Sequence, residues 1–129
     1  MTDSIADMLN QIKNAQILSY EEVKIPFSKL RYEVVKILEQ EKFIDKIDKL
    51  GKKNRKIIKI SLKYENGKPA ISGLKRISKP GRRVYFSVKE IKPVRGGYGL
   101  AIISTPKGLM TDKRAKKEKI GGEVICEIW

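Results

Sequence analysis

The chain has 129 residues, of which 40% are hydrophobic and 34% are charged, and its 29 Lys or Arg against 15 Asp or Glu give a net charge of +14. This length allows one ordinary domain or two small ones, and the positive charge indicates a polyanionic partner. Histidine is absent and cysteine occurs once, which excludes an intrachain disulfide, a multi-cysteine metal site and most histidine-based hydrolytic chemistry.

The start of the chain shows no sign of export. Acidic residues stand where a signal peptide would carry positive charge, and no apolar run approaches the length that crosses a membrane. We therefore expect a soluble cytoplasmic protein with no membrane partner.

Two amphipathic helices are predicted in the first half of the chain. Apolar residues recur at helical spacing in residues 5–15, after Ser4 as the predicted N-cap. Ser28 is predicted to cap a second helix, which runs to about Lys42 and has one apolar face.

Strands account for most of the remainder of this half. Residues 22–26 alternate and end at a proline, residues 43–50 alternate loosely, and residues 58–64 form the clearest half-buried strand. The Asn-Gly pair at 66–67 predicts a tight type I′ turn, because both residues tolerate positive φ. A return strand is expected over roughly residues 70–77.

These elements predict an α+β protein with two small domains. The N-terminal domain, residues 1–74, has the order α-β-α-β-β, with two helices on one face of a three-stranded antiparallel sheet. The C-terminal domain, residues 75–129, is mostly antiparallel β-structure with short helices. Residues 1–70 carry a net charge of +5 and residues 71–129 of +9, so the second domain is the better candidate for the main binding surface.

A dense cluster of cations opens the second domain. Residues 75–83 contain five cations and no acid around a Pro-Gly turn. Because proline and glycine would hold the turn rigid, Lys79, Arg82 and Arg83 are predicted to clamp phosphate, against the alternative of a solvated loop. Tyr85 follows the turn and is predicted either to stack on a base or to pack in the core.

Residues 104–111 form the second candidate site. Two apolar strand-like runs, residues 101–103 and 124–126, flank this segment of hydroxyls and glycine and the cationic helix after it. Hydroxyls and lysines gain little from burial and much from an anionic, hydrogen-bonding partner. We predict that hydroxyls here read base edges or 2′-hydroxyls of RNA, while cations neutralise phosphate. The alternative is a polar loop in which Thr111 merely caps the next helix.

Enzymatic chemistry has little support in these residues. Cys126 alternates within a strand and has no histidine to activate it, so we interpret it as a small strand residue. Asp3 and Asp7 could hold magnesium in a nuclease, but helix capping explains them more simply. We predict no enzymatic activity, no cofactor and no metal, with a metal-dependent nuclease as the rival hypothesis.

Four blocks of the sequence carry a family resemblance. They are DSIADML with IKNA from Asp3, ISKPGRRVY from Ile77, GYGLAIIST from Gly97, and KGLMTD from Lys107 followed by GGEVIC. In their order and spacing they resemble the family of bacterial ribosomal protein eight of the small subunit. The resemblance spans essentially the whole chain.

The resemblance implies a two-domain protein that binds the central domain of small-subunit ribosomal RNA directly and early in assembly, at a helix with an irregular purine-rich internal loop. It implies a structural role in the small ribosomal subunit, beside neighbouring ribosomal proteins, and we expect a monomer when the protein is free. The implied RNA contacts are Ser104, Thr105, Lys107, Gly108 and Glu123, with N-terminal support at Lys13, Asn14 and Lys29.

A second function is also implied. Some members of the family repress translation of their own operon by binding a messenger RNA that resembles the ribosomal site. A translational repressor is therefore the alternative function, and the messenger RNA of its own operon a further partner.

One position departs from the family pattern. The family loop commonly reads Ser-Thr-Ser-Lys-Gly, and here Pro106 replaces the second serine. Because proline lacks a hydroxyl and a backbone N–H, the hydrogen bond to a base expected at that position is not carried over.

Overall fold

The computed structural model describes residues 3–129 and contains three α-helices and antiparallel sheets, which confirms the α+β class. Its contacts divide it into two compact units, residues 4–71 and residues 72–129 together with Asp3. The assignment of residues 1–74 and 75–129 to separate domains stays a prediction.

The unit of residues 4–71 has two helices and a three-stranded sheet, as predicted. In chain order its main elements are α1 (Ser4–Ile17), β1 (Glu22–Pro26), α2 (Lys29–Gln40), β2 (Ile44–Leu50) and β3 (Ile57–Leu62). The strand order is β1–β3–β2, and both pairs are antiparallel. Ile58, Ile60 and Leu62 are buried on the core face of the sheet, whereas the residues between them are half-buried on the opposite face.

Local signals account for both helices. The helix α1 buries its apolar stripe, including Ile5, Met8 and Ile12. At α2, Ser28 lies in extended conformation and its Oγ accepts a hydrogen bond of 3.1 Å from the Arg31 N–H. This contact confirms the predicted cap.

The Asn-Gly turn forms, but the strand predicted after it does not pair with β3. Two short strands, β4 (Tyr64–Glu65) and β5 (Lys68–Pro69), form a separate ribbon, with φ of +54° at Asn66 and +76° at Gly67. The predicted return strand over residues 70–77 is wrong for its first half. The N–H groups of residues 72 and 73 donate instead to the Trp129 carbonyl, so these residues do not continue the ribbon.

A five-stranded antiparallel sheet organises residues 72–129. Its elements are β6 (Leu74–Arg76), β7 (Tyr85–Phe86), β8 (Leu100–Thr105), β9 (Gly108–Thr111), α3 (Asp112–Lys117) and β10 (Gly122–Ile128), with 3₁₀ turns at Val88–Glu90 and Val94–Gly97. The order is β6–β10–β8–β9, and β7 also pairs with β10. The last strand of the sequence, β10, is therefore the strand with which β6, β7 and β8 all pair.

One face of this sheet is covered by α3 and the 3₁₀ segments. Ile103 on β8, Met110 on β9 and Val124 on β10 join Ala115 of α3 in one buried cluster. Thr111 caps α3, since its Oγ1 accepts from the Arg114 N–H at 3.2 Å. The opposite face of the same strand ends carries the candidate site.

Candidate nucleic-acid interface

The predicted loop of residues 104–111 is a tight β-hairpin. Strand β8 ends at Thr105 and β9 begins at Gly108, so only Pro106 and Lys107 connect them. The Thr105 hydroxyl donates to the Gly108 carbonyl at 2.8 Å and accepts from the Lys107 N–H at 3.1 Å. Because Thr105 is buried and both contacts are internal, its hydroxyl holds the turn together.

A row of four side chains crosses the sheet next to this turn. Tyr85 on β7 lies opposite Glu123 on β10, Glu123 lies opposite Ser104 on β8, and Ser104 lies opposite Leu109 on β9. Directly opposed residues in antiparallel strands share one face. The row therefore occupies the face opposite the buried Ile103 and Val124, and we call it the Tyr85–Leu109 row.

Glu123 is the fixed acceptor of the Tyr85–Leu109 row. Its Oε2 accepts from the Ser78 hydroxyl and from Arg83 Nη1, the latter at 3.1 Å. Burial alone raises the pKa of this carboxyl, but the hydrogen bonds from Ser78 and Arg83, with the Arg83 and Arg76 charges, outweigh it and leave the pKa below its usual value. Glu123 is thus an oriented carboxylate that can accept hydrogen bonds from base amino groups or 2′-hydroxyls.

Tyr85 and Ser104 are open to a ligand. Tyr85 is 66% exposed, which excludes the core-packing alternative and leaves its ring free for stacking on a base. Ser104 is half-buried, and its hydroxyl forms no hydrogen bond within residues 3–129. A stacking ring, a carboxylate and an unpartnered hydroxyl therefore stand side by side.

The basic turn is closed by backbone hydrogen bonds, but its cations do not share one side. Lys79 and Arg82 exchange two backbone hydrogen bonds of 2.9 Å across Pro80 and Gly81. Arg83 reaches Glu123, whereas Lys79 and Arg82 line a cavity beside the core face of the sheet. Alternation along the edge of the sheet separates them.

The cations around the hairpin differ in how free they are. Lys107 is exposed and lies 3.8 Å from Glu118, which also binds Arg114 at 2.7 Å. The hydrogen bond from Arg114, partly opposed by desolvation, holds the pKa of Glu118 below its usual value. Lys107 is therefore held loosely at the tip of the hairpin.

The predicted N-terminal contacts lie in the unit of residues 4–71. Lys13 and Asn14 are adjacent and exposed on α1, and Lys29 is exposed at the first position of α2. In the part of the chain that the structure describes, neither lysine forms an ion pair. Both positive charges are available to a phosphate.

Ser78 is a residue of the candidate site that the sequence did not reveal. It is fully buried, and its Oγ joins two strand regions by donating to Glu123 and accepting from the Val84 N–H at 3.2 Å. Its partner Glu123 lies 45 positions away in the sequence, so no local signal could have identified the pair.

The structure argues against the catalytic alternative at Cys126. The side chain is fully buried, and burial raises the pKa of its thiol to about 12, so it does not form the thiolate that a nucleophile requires. Within residues 3–129 there is no group of three potential metal ligands and no helix long and apolar enough to cross a membrane.

Comparison with known proteins relates the chain to one family. A family model described as "Ribosomal protein S8" matches residues 3–129. The "Small ribosomal subunit protein uS8" of Natranaerobius thermophilus is 50% identical over 130 residues, which cover 100% of this chain and 98% of the relative. The proteins of that name from Caldanaerobacter subterraneus subsp. tengcongensis and Mycoplasmopsis pulmonis are 52% and 50% identical, with the same coverage.

Proposed function

The chain belongs to the ribosomal protein S8 family, and from that premise we propose that it is a structural constituent of the small ribosomal subunit that binds the RNA of that subunit directly. The bound site is an irregular internal-loop helix in the central domain of this RNA, and binding occurs early in assembly. Neighbouring small-subunit proteins are its other partners. The family is one of ribosomal proteins, not of enzymes.

The Tyr85–Leu109 row is the observation that carries this proposal. Ser104 offers a hydroxyl and Glu123 an oriented carboxylate, and these groups can contact base edges and 2′-hydroxyls where an internal loop exposes them. In a regular A-form helix the major groove is too deep and narrow for side chains to read, and the shallow minor groove is recognised mostly by its shape, whereas an internal loop makes base edges accessible. The row therefore favours an irregular helix over a regular one.

The hairpin of residues 104–109 provides the second part of the interface. Thr105 and Gly108 shape the turn, Lys107 brings a positive charge to its tip, and Gly108 has φ of +107°. Pro106 removes a donor from this turn but also limits its conformations, which preserves the shape presented to RNA.

Cations supply affinity without selecting a sequence. In the basic turn, Arg83 lies beside the row and contacts Glu123, whereas Lys79 and Arg82 lie on the other side. Lys13 and Lys29 contribute charge from the N-terminal unit, and Asn14 adds a neutral hydrogen-bonding group. Neutralised phosphates release counterions, so this part of the binding weakens with salt. The contacts of Ser104 and Glu123 account for the preference for irregular RNA that persists when salt weakens the phosphate contacts.

The test compares two short RNAs that differ only in the internal loop. One contains the irregular helix, and the other has the same helix closed into regular pairs; binding of the full chain is measured at two salt concentrations. We expect a preference for the irregular RNA that persists at the higher salt. Equal binding that collapses with salt would contradict selective recognition. Magnesium-dependent cleavage of the RNA that survives repurification and is lost with acidic side chains would make the protein a nuclease.

A further inference from the structure

The basic segment of residues 75–83 runs along the edge of the sheet and divides its side chains between two faces. Ser78 and Arg83 turn towards Glu123, as their contacts show. Lys79 and Arg82 face each other across the tight turn and lie on the other side. These two cations therefore lie at a site separate from the Tyr85–Leu109 row.

Lys79 and Arg82 line a cavity of about 390 Å³ within residues 72–129, and this volume is in the range of small-molecule sites. Its lining is formed by Lys75, Arg76, Ile77, Lys79, Arg82, Val84 and Phe86. Four of the seven residues are cations and none is an acid. Because like charges repel, such a lining favours an anion between them.

Three of these cations are uncommitted. Arg76 donates to Asp3 at 3.1 Å and to the Ile125 carbonyl at 2.6 Å, so its guanidinium is already used. Lys75, Lys79 and Arg82 form no ion pair within residues 3–129. All three are exposed residues of the cavity lining.

The remaining wall is apolar. Ile77, Val84 and Phe86 are half-buried and add two aliphatic side chains and one aromatic ring. A second cavity of about 510 Å³, which shares Phe86 in its lining, contains Lys89 and Lys92 but also the acids Glu90 and Glu127, so the charges of its lining balance. The first cavity combines four cations and no acid with an apolar wall, which suits a ligand with an anionic group and a flat apolar body.

We propose that this cavity binds a single nucleotide, with its phosphate between Lys79 and Arg82 and its base against Phe86. The nucleotide is either free or extruded from an RNA helix. The RNA source rests on the proposed function, whereas the cavity and its chemistry do not.

The first experiment titrates the full chain with AMP and, separately, with inorganic phosphate, while backbone amide signals are followed by NMR. We expect AMP to perturb residues around the cavity and to bind more tightly than phosphate, because only AMP also contacts the apolar wall. The K79Q/R82Q variant should weaken AMP binding about tenfold, since two charge-assisted contacts are lost.

The matched control is K113Q/K117Q, which removes the same charge from two exposed positions on α3 outside the cavity and keeps the Arg114–Glu118 ion pair. It should leave the affinity for AMP unchanged. Phe86→Leu keeps an apolar side chain but removes the ring, so it should weaken AMP and not phosphate. Equal losses in both double variants, or AMP shifts spread over all surface cations, would overturn the proposal.

An RNA arm distinguishes the two sources of the nucleotide. A helix with one extruded nucleotide and its fully paired counterpart are compared on the wild type and both double variants. Extra affinity for the extruded nucleotide that is lost in K79Q/R82Q alone identifies RNA as the source; AMP binding without that extra affinity identifies the free nucleotide.

The internal-loop comparison is run in parallel. If the wild type shows no preference for the irregular RNA, the proposed function is wrong. If K79Q/R82Q still binds AMP as the wild type does, the proposed nucleotide site is wrong.

Discussion

Ser104 and Thr105 are neighbouring hydroxyl residues with different tasks. In the sequence both are candidates for contact with a base, but the structure gives Thr105 two internal hydrogen bonds and leaves the Ser104 hydroxyl without one in residues 3–129. Thr105 therefore shapes the hairpin from inside, and Ser104 faces outward in the Tyr85–Leu109 row.

Replacing these two residues should separate stability from recognition. Thr105→Val keeps the shape but removes the hydroxyl, so we expect a loss of about 1–2 kcal/mol in the free energy of unfolding. Ser104→Ala should change stability by less than about 0.5 kcal/mol and reduce the preference for irregular RNA. Urea unfolding and binding to both RNAs measure the two effects. An equal loss of affinity for both RNAs in Ser104→Ala would make Ser104 only a positioning group.

The carboxyl of Glu123 should make part of the stability depend on pH. Its pKa in the folded protein lies below its usual value, so the stabilisation is present above that usual value, about 4.3, and is lost as the pH falls through the folded pKa. We expect Glu123→Gln to lose about 1 kcal/mol at pH 7 and to approach the wild type in acid.

Trp129 provides the measurement for this prediction. It is the single tryptophan and lies in the unit of residues 72–129, so its fluorescence follows the unfolding of the unit that contains Glu123. Glu127→Gln is the control, because the Glu127 carboxylate forms no ion pair within residues 3–129. A difference between wild type and Glu123→Gln that stays constant from pH 7 to about pH 3 would contradict the linkage.

Strand β10 is the element on which the candidate interface depends. It pairs with β6, β7 and β8, and it carries Glu123 directly after Gly122. A Cβ at position 122 would lie 2.1 Å from the Ser104 carbonyl oxygen. The glycine is therefore required by the close approach of two strands, which also brings Glu123 beside Ser104.

Gly122→Ala should push β10 away from β8. We expect a loss of about 1–3 kcal/mol in the free energy of unfolding, measured by Trp129 fluorescence, together with a weaker preference for irregular RNA. Gly81→Ala is the control, since a Cβ there meets nothing within 4 Å and the residue does not need positive φ. Similar losses in both variants would show that the strand contact is not what limits position 122.

The charge of the whole molecule contributes to affinity for RNA but not to selectivity. The net charge of +14 attracts any polyanion, whereas in the proposed complex the groups of the Tyr85–Leu109 row distinguish one RNA shape from another. Cations distant from the row in the sequence should therefore act on all RNAs alike. Lys13 and Lys29 are such cations.

K13Q/K29Q should weaken the binding of irregular and closed RNA by the same factor. If each lysine contacts one phosphate, the slope of log affinity against log salt should fall by about 0.7–0.9 for each lysine. The control is K36Q/K68Q, which removes two other exposed cations from residues 4–71. An unchanged slope in K13Q/K29Q, or a slope equal to that of the control, would exclude these lysines from the interface.

The sequence by itself determined the local elements and the family. Helical spacing, the Ser28 cap, the alternation around Ile58 and the Asn66–Gly67 turn all predict structures that form, because each depends on residues within a few positions of one another. The excess of cations and the four family blocks identify a ribosomal protein family, which the comparisons confirm.

Only the tertiary structure decided which residues meet. Leu74–Arg76 alternates like a return strand but pairs with β10, and Ser78 meets Glu123 across 45 positions. Arg83 and Lys79 are close in sequence, yet alternation at the sheet edge sends them to different faces. Strand pairing brings together residues that are distant in the chain, and it depends on the free energy of the whole sheet, which no local pattern in the sequence contains.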